Sequence, residues 1–169
     1  MTFLRGILDR IILVIAIVAA GCIPSFIAQY RQRVGGRLDQ VNLDLAPFQA
    51  IANLLHHGSL QELIRYHLAS PDATFHKEGA AIQLMVESAS RLQDSYTALG
   101  GSLVDQMWYL SAHTDLKIAH DTWQVFAPSF GLSWDHVMFA LTLGVTIWLM
   151  FLAGWWLTRR VVARYFKVK

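Results

Sequence analysis

The sequence predicts an all-α membrane protein in which two transmembrane helices flank an extracytoplasmic helical hairpin or bundle. Three observations predict it. Two apolar runs, Ile11 to Ile27 and Val137 to Leu157, contain no charged residue, as crossing a hydrocarbon core demands. Between them, apolar residues recur at alternating steps of three and four, the spacing of a helical seam. No segment reads convincingly as a strand. The 169-residue chain is 54% hydrophobic and only 15% charged, too apolar for an ordinary soluble domain of that length, with the excess concentrated in the two runs.

The second run is the stronger. At about 1.5 Å per residue, its 21 residues span a core of roughly 30 Å. Trp134 precedes it and Trp155 and Trp156 close it, placing amphipathic rings at both membrane interfaces, with Arg159 and Arg160 just beyond. The first run has 17 residues and carries Pro24, so it spans only if Ile7 and Leu8 enter the bilayer while Arg10 snorkels.

Charge sets the orientation. The tail 158–169 holds Arg159, Arg160, Arg164, Lys167 and Lys169 and no acid, which places it in the cytoplasm. Two spans then put residues 1–10 on the same side and residues 28–136 in the periplasm. That middle segment has seven basic and eleven acidic residues, a net charge of −4 inside a chain of +2. Arg31, Arg33 and Arg37, close after the first span, pull the other way.

Within 28–136 one seam runs Val34, Leu38, Val41, Leu45, Phe48, Ala52, Leu55, and a second runs Ile82, Met85, Ala89, Leu92, Tyr96, Leu99. Each is the natural partner of the other. Gly35-Gly36 reads as a hinge and Pro47 as a bend. Ser59 with Glu62 forms a capping-box pattern for a short helix over 60–69, which Ser70-Pro71 ends. The second seam's helix starts near Asp72 and stops at Gly100-Gly101. Ser102 caps a helix carrying Leu103, Met107, Trp108 and Leu110, and Thr114 caps one carrying Leu116, Ile118, Ala119, Trp123 and Phe126. Trp108 and Trp123 are expected in the core rather than lining a groove. Residues 127–132 read as a turn, with Ser133 capping the second span.

The chemistry-bearing residues are sparse. Among His56, His57, His67, His76, His113, His120 and His136 no two stand i, i+3 or i, i+4 apart with a carboxylate beside them, as in a helical metal site; the nearest same-face pair, His113 and His120, is two turns apart. No metal, cofactor or nucleic-acid partner is expected. No serine sits in a nucleophile elbow, and the chain is expected not to be an enzyme. A buried pair among Glu62, Glu87, Asp94 and Asp105 would revive that possibility. Arg31, Gln32, Arg33 and Arg37, beside Tyr30, suit either lipid headgroups or solvent. Ala16 and Ala20, and Ala140 and Gly144, are small pairs four apart that let helices approach closely. Ala19-Ala20-Gly21-Cys22 imitates a lipoprotein signal, but apolar character continues through Ile23, Phe26 and Ile27.

The stretch Phe26 to Gln40, FIAQYRQRVGGRLDQ, resembles a family of small bacterial inner-membrane proteins known as domain of unknown function 2937. The motif residues are Pro24, Phe26, Gln29, Tyr30, Gln32, Arg33, Gly36 and Asp39, followed much later by Phe126 and Pro128. The resemblance covers nearly the whole chain and implies a fold and a place rather than an activity. Gln40 stands where an acidic residue is frequent in the family, and the second span is unusually rich in tryptophan.

The expected function is therefore non-enzymatic. A periplasmic helical domain, rooted by both spans among membrane lipids, binds or organises another envelope protein or a second copy of the chain. Tyr30, Gln32, Arg33, Asp39, Phe126 and Pro128 are the candidate contact residues. The alternative is a membrane protein that binds or senses a lipid or small ligand.

Overall fold

The computed structural model describes residues 2–131 and 133–166, with side chains for 7–131, 133–158 and 160. These residues form six helices and no strand: α1 (Thr2–Leu55), α2 (Leu60–Leu68), α3 (Ala73–Ala98), α4 (Leu103–His113), α5 (Leu116–Gln124) and α6 (Trp134–Phe166). The chain divides into two compact units, Met1–Phe26 with Phe126–Lys169, and Ile27–Val125.

Within the first unit, α1 and α6 pack through small residues. A Cβ on Gly144 would lie 2.7 Å from the Cα of Ile17, so only glycine admits the neighbouring backbone there. Ala20 and Ala140 are 1% and 0% exposed, and Gly21 lies directly beneath the Phe130 ring. The small pairs in the two apolar runs thus pack the helices on each other. Two stretches, Ile7–Leu55 in α1 and Trp134–Thr158 in α6, are long and apolar enough to cross a membrane. A helix in a soluble core would bury most of such a stretch, whereas 28% and 11% of their most apolar windows are buried here.

The second unit follows the two seams. Leu45 of α1, Ile64 of α2 and Ile82 of α3 form its core, packed by Phe48, Leu60, Leu68, Met85, Val86 and Ala89. Val34, Leu38 and Ala52 are also buried. The seam stops short of Leu55, which is exposed. A tight turn through His57 (φ 51°) and Gly58 (φ 81°) reverses the chain and leads to Ser59, whose hydroxyl accepts the Glu62 N–H. Asp72 caps α3, and Ser102 with Asp105 forms a full capping box on α4.

Four local expectations change. Helix α1 is unbroken through Gly35-Gly36 and Pro47. Pro47 and Leu43 are both exposed, so the Leu43 carbonyl that loses its helical donor can turn to water. Gly35 is a contact position rather than a hinge, since a Cβ there would lie 3.0 Å from the Tyr96 ring. Thr114 ends α4 and Asp115 caps α5 instead, its carboxylate accepting from both Lys117 and Ile118 N–H, which a single hydroxyl does less well. Trp108 and Trp123 are not core residues: they are 79% and 68% exposed. Helix α5 buries another face, through Ile118 and Thr122, while α4 has no fully buried residue.

Candidate functional site

Helix α5 is fixed to α1 by two contacts at opposite ends. At its start the Asp115 N–H donates to the Tyr30 hydroxyl at 3.1 Å. Tyr30 is 2% exposed, and burial pushes its pKa above the ordinary 10.0. At the other end Arg37 Nη2 donates to Asp121 Oδ2 at 2.7 Å. Arg31 serves a different neighbour: its guanidinium lies 4.4 Å from the centre of the Tyr96 ring and its Nε donates to the Tyr96 carbonyl at 3.5 Å, near the negative end of α3.

Two clefts open in this unit. The smaller, about 520 Å³, lies between α1 and α5 and is lined by Gln29, Gln32, Arg33, Gly36, Arg37, Gln40, Thr122 and Val125. Positions 29, 33, 36 and 40 fall on one stripe of α1. The larger, about 820 Å³, carries Arg37 and Arg91 against Asp44, Asp94 and Asp115, with Tyr30, Tyr109 and His113 among its other walls. Glu62, Glu87, Asp94 and Asp105 are all exposed, and among the described residues no three or more His, Cys, Asp or Glu side chains converge closely enough to hold a metal ion.

The six candidate contact residues are divided between the two units. Gln32 and Arg33 line the smaller cleft and Asp39 is exposed on α1. Tyr30 is an anchor for α5 rather than a surface side chain. Phe126 and Pro128 belong to the other unit, where the Phe126 ring meets Phe26 edge-on with centroids 5.5 Å apart. Ser25 and Ser129 share a hydrogen bond beside it at 2.7 Å. Among the proposed interface residues, Trp134, Trp155 and Trp156 are exposed, and Arg160 stacks 3.9 Å over the Trp156 ring. The side chain of Arg159 lies outside the described residues.

Sequence reasoning missed Asp121 as the partner of Arg37, and Thr122 and Val125 as walls of the smaller cleft. The spacing of Arg33 and Arg37, one turn apart, signalled a shared face, but nothing local ties that face to a helix 84 positions later.

No curated protein and no solved structure matches the chain. The family model described as Protein of unknown function (DUF2937) matches residues 4–164, nearly the full length, and the motif at Phe26 to Gln40 lies inside that match. The chain belongs to this family.

Proposed function

We propose that this is an integral protein of the bacterial inner membrane, with both termini in the cytoplasm and residues 28–136 in the periplasm, and that its helical unit binds or organises another envelope protein. What carries the reading is apolar surface outside the two apolar runs. On α4, Val104 and Trp108 are 71% and 79% exposed, and on α5, Leu116 and Trp123 are 80% and 68% exposed. The members of each pair are four and seven positions apart, so each pair shares a helical face. Large exposed apolar and aromatic side chains at helical spacing are typical of the centres of protein interfaces. The orientation is supported by the basic tail, Arg159, Arg160, Arg164, Lys167 and Lys169 with no acid among them.

The test places a photo-crosslinking residue at Trp108 or Leu116 of the full chain in living cells, with the exposed polar position Gln83 as control. A discrete adduct from 108 and 116 but not from 83 supports the reading. Equal labelling at all three, or none, overturns it. Reporter fusions after Gly101 and after Lys169 test the orientation, which fails if Gly101 reports cytoplasmic.

A further inference from the structure

We propose that the cleft between α1 and α5 is a binding site for a phosphate-bearing anion, with Arg33 as its principal donor. Arg33 is half-buried in the cleft wall and makes no hydrogen bond or ion pair among the described residues. Its two neighbours differ in this respect, since Arg31 is held by Tyr96 and Arg37 by Asp121. A guanidinium is costly to shield from water without a partner. Its planar fork matches phosphate oxygens two at a time.

The surroundings suit an anion. Arg37 also lines the cleft, with only one of its terminal nitrogens engaged by Asp121. The Gln32 amide adds a donor at the exposed edge. Gly36 leaves the wall between the arginines open, because a Cβ built there would meet nothing within 4 Å. The volume of about 520 Å³ falls in the range of roughly 300–1,000 Å³ that small-molecule sites occupy. The lining carries two cations and no carboxylate. The larger cleft has three aspartates against two arginines and lacks this selectivity.

Two sources can supply the group. Arg33 lies six residues beyond Ile27, roughly 9 Å along α1. If 11–27 spans the bilayer, that is headgroup depth, and an anionic phospholipid is one source. A free phosphate ester is the other.

The full chain, purified in a non-ionic detergent, is tested by calorimetry against inorganic phosphate and glycerol 3-phosphate. In parallel it is reconstituted in discs of phosphatidylcholine with or without phosphatidylglycerol, and retained lipid is read by native mass spectrometry. Binding that is weakened about tenfold or more in Arg33→Gln, weakened less in Arg33→Lys, which keeps the charge but loses the fork, and unchanged in the remote Arg65→Gln supports the site. Retention of phosphatidylglycerol alone identifies a lipid headgroup, binding of the esters alone identifies a free phosphate, and both together show that the phosphate is what is read. Far-UV circular dichroism monitors folding. Should Arg33→Gln lose helix, Gln32→Glu, which puts a carboxylate at the exposed edge, decides: the site requires weaker binding. No binding of any probe, equal losses in Arg33→Gln and Arg65→Gln, or unchanged binding in Gln32→Glu overturns the proposal.

Discussion

Arg37 of α1 and Asp121 of α5 form an ion pair with 2.7 Å between Nη2 and Oδ2, joining helices 84 positions apart in the chain. Both side chains remain about a third exposed, at 36% and 31%, so solvent screens the pair. A double-mutant cycle of Arg37→Gln and Asp121→Asn, read by chemical denaturation of the full chain, should give a coupling of about 0.5–1 kcal/mol. A coupling of zero would mean that α5 is held by Tyr30 and apolar burial alone.

Tyr30 gives a prediction with a pH signature. Tyr30→Phe leaves the Asp115 N–H without its acceptor and should cost about 1 kcal/mol. Because burial raises the folded-state pKa above 10.0, the native state holds its proton longer than the unfolded state. The resulting stability is fully present below pH 10 and is lost as pH rises through the raised value. Denaturation between pH 9 and 11 should show this fall in the wild type and a smaller one in Tyr30→Phe.

Asp72 behaves in the opposite sense. The Thr74 and Phe75 N–H groups at the start of α3 hold its carboxyl below the ordinary 3.8. The cap is therefore intact above pH 3.8 and weakens as pH falls through the lowered value. Asp72→Asn keeps a capping oxygen without a titrating group. Amide protection in the first turn of α3, measured relative to the intrinsic exchange rate at each pH, should fall on acidification in the wild type and stay level in Asp72→Asn; an equal fall in both would remove Asp72 as the cause.

Glycine 79 sets the approach of α3 to α2. A Cβ there would lie 2.8 Å from the His67 Cβ and 3.0 Å from the Leu68 backbone nitrogen, neither of which is the end of a flexible chain. Gly79→Ala should destabilise the helical unit by about 1–3 kcal/mol despite its higher helix propensity. A stabilised variant would show that the two helices can separate at little cost.

The same steric logic applies at Gly144, where an added Cβ would strike the Ile17 backbone. Gly144→Leu should separate the two apolar helices while each still inserts. Cysteine crosslinking between Ala20 and Ala140 introduced as a pair should fall sharply; undiminished crosslinking would place the close approach elsewhere.

Local rules read from the sequence determined much of this protein. Seam spacing found the faces carrying Val34, Leu45, Ile82 and Leu99; short-range hydrogen-bond patterns found the caps at Ser59 and Ser102 and the start of α3 near Asp72; charge-free length found the two helices able to cross a membrane. Each depends on residues within a few turns of one another, where the period of the helix fixes who meets whom. Tertiary structure alone decided that Trp108 and Trp123 lie outside the core, that Gly35 admits a tyrosine ring and that Tyr30 is buried. It also decided that Arg31 and Arg37 are engaged while Arg33 is left in a cleft. Those outcomes depend on which face of one helix packs against another far along the chain, and a residue's own neighbours in sequence carry no record of that choice.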